Sequence, residues 1–235
     1  MTITTLTFDL DDTLWEVRPV LIEAERAVFK WQQEHCPALL EKFDKKSLIS
    51  HRIEVFRQHP DLQHDLTALR KIATTSALQQ AGYSTEEATQ LSEQAFAVFL
   101  NYRHKVSFFD NALEVLSQLA TQYTLGAITN GNANYHNLPL RDFLSFSVSS
   151  ESYGASKPDP GLFLEAASLA KTEPNQIIHI GDDLIKDVLA AQNVGMKAIW
   201  VNILDPSNAS EGFHPDASIT ALKQLPKAIQ NITTA

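Results

Sequence analysis

Cysteine is all but missing: Cys36 is the only one in 235 residues. That excludes an intramolecular disulfide and any zinc cluster built on cysteine, and it suits a reducing compartment. None of the eight histidines forms a His-x-x-x-His pair, so a helix-borne zinc site is not expected either. Positive charge is scarce, with 19 Lys+Arg against 28 Asp+Glu and a formal net charge of −9. A field of that sign repels phosphate backbones and anionic lipid, which argues against nucleic-acid and membrane-surface binding. No apolar run approaches the roughly 18 residues of a membrane span. The start, MTITTLTFDLDD, lacks the basic region of a signal peptide. Repeats and low-complexity tracts are missing as well. What remains is a chain that is 44% hydrophobic and long enough to bury a real core. The expectation is a soluble, cytoplasmic protein, monomer or homodimer, whose partner is a small molecule. In that location Asn208-Ala-Ser and Asn231-Ile-Thr have no meaning as glycosylation acceptors.

The first ten residues fill with apolar or β-branched side chains (Ile3, Leu6, Thr7, Phe8, Leu10) and stop at a polar cluster, as a buried strand does. Similar runs recur at Leu125–Thr129, Ile177–Ile180 and Ala198–Val201. Helical patterns lie between them. Asp110 is placed to cap one whose apolar face is Leu113, Leu116 and Leu119 with Ala112 and Ala120, and Asp159-Pro160 opens another over Gly161–Ala170. Strand alternating with helix predicts a doubly wound α/β core on a parallel sheet. Residues from about 16 to 105 break that rhythm. They carry helical stretches at Glu16–Glu34, Ala38–Arg57, Asp61–Ala81 and Ser84–Arg103, the last starting on Ser84 and Glu87 at capping-box spacing. The economical arrangement is a core of residues 1–14 and 106–235 with a helical cap of residues 15–105 inserted after the first strand.

Four clusters stand at strand ends, where open α/β sheets place their sites. In Asp9-Leu10-Asp11-Asp12-Thr13 the period of two in an extended chain puts Asp9 and Asp11 on one side. Two such carboxylates repel and call for a cation or a shared proton; Mg²⁺, which takes oxygen ligands, is the expected cofactor. Asp12 serves equally well as a cap of the next helix. Thr129-Asn130-Gly131 offers a hydroxyl beside backbone N–H groups, a cradle for phosphate oxygens. Lys157 stands before Pro158, which restricts its backbone, and can neutralise a carboxylate and a phosphoryl group together. Gly181-Asp182-Asp183, with Asp187 on the next helix, brings more acids to a strand end, with Gly181 read as serving a tight turn. Asp182 would complete an oxygen set around the same cation, and Asp183 or Asp187 would add a further ligand or an anchor behind it. Asp187 also complements a helix dipole.

FDLDDTL, ITNG, SKPDPGLF and IGDDLIKDV, in this order and each at a strand end, resemble the four motifs of the haloacid dehalogenase (HAD) superfamily of phosphohydrolases. The helical insert resembles that superfamily's C1 cap. AITNGN, SKP and HIGDDL-x-x-DV, with His64-Asp65-Leu66-Thr67-x-x-Arg70, also resemble a bacterial subgroup. That subgroup includes the phosphatase acting on 5-amino-6-(5-phosphoribitylamino)uracil in riboflavin synthesis. The resemblance implies a Rossmann-like core and a Mg²⁺-dependent phosphatase acting on a small phosphorylated metabolite. By it, Asp9 is the nucleophile and Asp11 the general acid and then base. Thr129 and Lys157 hold the phosphate, with Asn130 assisting through its backbone. Asp9, the backbone carbonyl of Asp11, and Asp182 bind the metal. Arg70 gains a role near the substrate only from the subgroup pattern. Asp183 and Asp12 depart from the serine and glycine that many members carry.

Rival expectations are a phosphomutase or a dehalogenase on the same fold and, outside enzymes, a phospho-receiver switch. A dehalogenase needs no acid two residues after the nucleophile, and receivers are shorter, with both acid pair and acceptor preceding the threonine and lysine. His179, inside an apolar strand, reads as a packed core residue. Trp15 reads as lining the site entrance or as packing. Cys36 reads as a partly buried cap residue.

Overall fold

In the computed structural model, which describes residues 2–207, 210 and 212–234, packing divides the chain into two compact units. One holds the chain up to Val17 and from Ser107 onward; the other is Arg18–Val106. Asn208 lies outside the described residues. No helix among the described residues is long and apolar enough to cross a membrane.

The first unit begins with β1 (Thr5–Phe8), buried at every position. The helical unit follows: α1 (Val17–His35), α2 (Pro37–Lys42), α3 (Lys45–Gln58), α4 (Leu66–Gln80) and α5 (Thr85–Arg103). The continuous helix expected over residues 38–57 is two helices. Phe43 is extended, and Asp44 starts a new helix by accepting the Ser47 N–H at 2.7 Å. The helix expected from Asp61 starts instead at Leu66, after a 3-10 turn at Pro60–Leu62, because the Asp65 carboxylate caps Ala68 N. The Ser84–Glu87 capping box forms in both directions. Inside this unit Phe96 and Phe99 of α5 pack against Ala24 and Val28 of α1. Cys36 packs with Leu39, Ala77, Leu78 and Ala88, fully rather than partly buried, and burial pushes its thiol up to about 11.

The chain then returns to the first unit with α6 (Ala112–Ala120), β2 (Thr124–Thr129), β3 (Phe146–Ser149), α7 (Ser150–Tyr153), α8 (Pro160–Ala170), β4 (Ile177–Gly181), a π-helical turn at Leu184–Leu189, α9 (Ala190–Asn193), β5 (Lys197–Val201), β6 (Ala217–Ile219) and α10 (Leu225–Thr234). Asp110 does not cap α6. The residue before the helix is Asn111, in the left-handed region at φ 64°, and no side chain caps the end. The buried face is Ala112, Val115, Leu116 and Leu119, so Val115 takes the place given to Leu113 and Ala120. Asp159 and Pro160 do open α8, with the Asp159 carboxylate accepting Gly161 N at 2.8 Å.

The sheet is parallel throughout, in the order β3-β2-β1-β4-β5-β6. Helix α8 packs on β2 and β3, and the π-turn on β4 and β5. Helix α6 packs on β2 and α10, and α10 on β6. This is the expected doubly wound α/β core. The chain gains two edge strands that its sequence did not announce, β3 and β6. Because β1 lies between β2 and β4, the carboxyl ends of these three strands converge at one place.

Candidate active site

Asp9 follows β1 directly and is 7% exposed. Its Oδ1 receives the Lys157 ammonium at 2.6 Å, and its Oδ2 lies 3.4 Å from the Thr13 hydroxyl. Thr13 also reaches Asp182 Oδ1 at 3.2 Å, tying the end of β1 to the end of β4. Asp182 is anchored through its carbonyl, which accepts the Trp200 indole N–H at 2.7 Å. Asp11 is held by its own neighbour: Trp15 Nε1 donates to Asp11 Oδ1 at 2.9 Å. Trp15 is fully buried, bridged to Phe108 in the backbone and edge-on to the Phe108 ring at 5.4 Å, so it lines no entrance. Asp12, at φ 60°, takes the capping role, its Oδ1 accepting Val17 N at 2.8 Å at the start of α1.

Lys157 is the centre of the cluster. Its ammonium donates to Asp9 Oδ1 and to Asp187 Oδ1, both at 2.6 Å, and only 4% of the residue is exposed. Its backbone is fixed by Asn130, whose side-chain amide accepts Lys157 N at 2.8 Å and donates to Lys157 O at 3.0 Å. Asn130 thus acts on the lysine through its side chain. Thr129, buried at the end of β2, accepts Gly131 N on its hydroxyl at 3.0 Å.

Asp183 caps the π-turn, its Oδ1 accepting Ile185 N and Lys186 N at 2.9 Å each, and its Oδ2 lies 3.2 Å from Lys186 Nζ. Asp187, one turn on, is engaged on both oxygens, Oδ1 by Lys157 and His179, Oδ2 by Asp183 N at 3.0 Å. Gly181 makes room for it: a Cβ there would sit 2.3 Å from Asp187 Cγ. Close approach, not a left-handed turn, is therefore what requires this glycine.

Three carboxylates compete for one ammonium. Burial works against the charge of Lys157, yet Asp187 and Asp9 outweigh it and raise its pKa. Burial would also raise Asp187, but Lys157 and His179 hold its carboxyl well below the usual range. Asp9 goes the other way: burial raises it, repulsion from Asp187 and Asp182 adds to that, and Lys157 offsets only part. Burial, with repulsion from Asp187 and Asp12, pushes Asp182 up to about 7. Carboxylate oxygens of Asp9, Asp182 and Asp187 lie within 4.8 Å of one another, close enough to share a metal ion. A cavity of about 250 Å³ opens over these groups, lined also by Asp11, Asn130 and Lys186.

Of the residues singled out in the sequence, Asp9, Asp11, Thr129, Asn130, Lys157, Asp182, Asp183 and Asp187 all line this one cavity. Arg70 belongs to the helical unit, where it pairs with Glu25 at 2.6 Å and lies over the Phe99 ring. Two residues do more than the sequence suggests. Trp15, expected to line the entrance or to pack, donates to Asp11, and His179, expected as a packed core residue, has polar atoms at both ring nitrogens. The signal in the sequence is that His179 is the one polar side chain of an apolar strand, and buried polar groups need partners.

A family model described as haloacid dehalogenase-like hydrolase matches residues 3–195. The chain belongs to that family. Among curated relatives of this HAD protein, 5-amino-6-(5-phospho-D-ribitylamino)uracil phosphatase YigB of Escherichia coli (strain K12) is 36% identical over 199 residues, 85% of this chain and 83% of that one. A glyceraldehyde 3-phosphate phosphatase of Pyrococcus furiosus is 36% identical over 115 residues, 46% of this chain and 48% of its own. The solved structure of a 2-haloacid dehalogenase from Pseudomonas syringae pv. Tomato DC3000 superimposes with a TM-score of 0.92 at 39% identity, covering 98% of this chain and 99% of its own.

Proposed function

We propose that this HAD hydrolase is a phosphatase that passes the phosphoryl group of a small phosphorylated metabolite to Asp9 and then to water. The lysine bridge carries this reading: Asp9 Oδ1 takes the Lys157 ammonium at 2.6 Å while a second carboxyl, Asp11, stands two residues on, oriented by an indole N–H. Asp9 attacks phosphorus, the ester P–O bond breaks, and Asp11 protonates the leaving alkoxide. Asp11 then takes a proton from water, whose oxygen attacks the aspartyl-phosphate and releases inorganic phosphate. Lys157 offsets charge on the phosphoryl oxygens, and the Thr129 hydroxyl, which accepts from Gly131 N, donates to another oxygen with the Asn130 N–H assisting. The helical unit serves as the cap that selects the substrate.

The donor set is all oxygen, with three carboxylates against one ammonium, which fits a hard divalent cation such as Mg²⁺. Asp9 and Asp182 would hold it, with the Asp11 carbonyl that the family resemblance assigns, and it would neutralise developing charge on the phosphoryl oxygens.

The Escherichia coli relative makes its named substrate the first metabolite to test. The assay is phosphate release from p-nitrophenyl phosphate and from a panel of phosphometabolites, with Mg²⁺ and with EDTA. Asp9→Asn should remain folded and lose more than about a hundredfold in kcat. Retention of activity in that variant refutes the nucleophile, and indifference to EDTA refutes the metal. The 39% identity to a named dehalogenase supports a second reading, halide displacement from a 2-haloacid. A halide leaves without a proton, so that chemistry gives the oriented Asp11 no leaving group to protonate. Halide release from 2-chloropropionate without phosphate release from any ester would establish it instead.

A further inference from the structure

The lysine that reaches Asp9 is itself held from behind. Asp187 Oδ1, which accepts the Lys157 ammonium, also faces His179 Nε2 at 3.1 Å. On the far side of the ring, His179 Nδ1 lies 2.9 Å from the Thr7 hydroxyl. Thr7 and His179 are register partners across β1 and β4, and both are fully buried. The Phe163 ring meets the imidazole edge-on at 5.1 Å.

Donor chemistry fixes the tautomer. An ionised carboxylate only accepts, so Nε2 carries the hydrogen. Burial favours the neutral ring, so Nδ1 is bare and the Thr7 hydroxyl donates to it. Asp187 is then fastened at Oδ1 by the imidazole and at Oδ2 by Asp183 N. Without the imidazole, Oδ1 keeps only the mobile ammonium and the carboxylate is held by Asp183 N alone among fixed donors, so its last torsion, and with it the ammonium shared with Asp9, is set less firmly. A leucine or isoleucine, like Ile178 and Ile180 beside it, would pack here but give Oδ1 no fixed donor.

We propose that His179, backed by Thr7, is a positioning residue for this site: it locks the Asp187 carboxylate so that Lys157 is presented to Asp9. The role rests on the phosphatase reading. His179→Leu removes the donor. His179→Gln keeps an amide N–H at a similar reach. Both are assayed on p-nitrophenyl phosphate, with thermal unfolding as the check on folding. The Leu variant is expected to lose about tenfold or more in kcat, the size of effect seen when the partner orienting a site ligand is removed, with a smaller change in KM. The Gln variant is expected to recover most of that loss even where its thermal stability is no better. Side-chain ¹⁵N shifts of His179 in the wild type, assigned by their disappearance in the Gln variant, should show the Nε2–H tautomer.

The two readings fail separately. Wild-type protein that releases no phosphate from any ester overturns the phosphatase reading whatever the ring does. An active wild type with an Nδ1–H ring overturns the role of His179 alone. So does a Leu variant within about twofold of wild type, or a Gln variant as impaired as the Leu variant.

Discussion

Asp11 owes its orientation to a residue four positions on. The Trp15 indole is fully buried, and its N–H points at Asp11 Oδ1. If Asp11 donates the proton that an alkoxide needs, the cost of losing that bond depends on the leaving group. Trp15→Phe keeps the ring bulk and removes the N–H. It should lower kcat on an alkyl phosphate roughly tenfold, about 1.4 kcal/mol, the size of one hydrogen bond. On p-nitrophenyl phosphate, whose phenolate leaves with little help, the loss should be small. Equal losses on both esters would refute a role for this bond in protonating the leaving group. Gly181 works at the same scale, since its missing Cβ is what lets Asp187 reach the lysine.

At the scale of elements, the site is a meeting of strand ends and the turns that follow them. The turn after β2 reaches the loop before α8 through one amide, Asn130, which makes two hydrogen bonds to the backbone of Lys157. If Lys157 and Asp9 act as proposed, Asn130→Ala should cost kcat/KM roughly tenfold to a hundredfold, as small displacements of a reacting group do, with both residues still present. Steady-state kinetics on p-nitrophenyl phosphate check it, and near wild-type values would mean that the loop holds itself. The acids of this site were legible in the sequence because chemistry and position coincide: Asp9 and Asp182 end apolar runs that can only be buried strands. The polar contacts behind them were not, since Thr7 and His179 are 172 positions apart and meet only once β1 and β4 pair. Strand β3, FSVS, is half polar and lies at an edge, and β6 has three residues, too few for a period to register. The single helix expected over 38–57 broke because Asp44 offers its carboxylate to a backbone N–H, a local competitor that apolar spacing does not count.

Over the whole molecule the net charge of −9 conceals local surpluses of both signs. In the helical unit Arg52 and Arg70 share one carboxylate, Glu25, at 2.5 and 2.6 Å. Burial alone would raise Glu25, but the two guanidinium groups bring it down to about 2. A carboxyl depressed in this way adds stability above its unfolded value of about 4.3 and loses it as pH falls from there to about 2. With its partial exposure discounted, the contribution is roughly 2 kcal/mol at neutral pH. Urea unfolding of wild type and Glu25→Gln across pH 2 to 7 should show that gap closing on the acid side. A gap independent of pH would refute it. In the other unit, strand order has a consequence in time. Strand β1 comes early in the chain, yet its hydrogen-bonding neighbours are β2 and β4, beyond all five helices of the other unit. During synthesis, at about 5–20 residues per second, β1 must wait unpaired for many seconds while α1–α5, whose contacts are local, can already form. Asp9 and Asp11 meet Lys157 and Asp182 only after the last of these segments has emerged. The site thus cannot assemble until synthesis has passed Asp182.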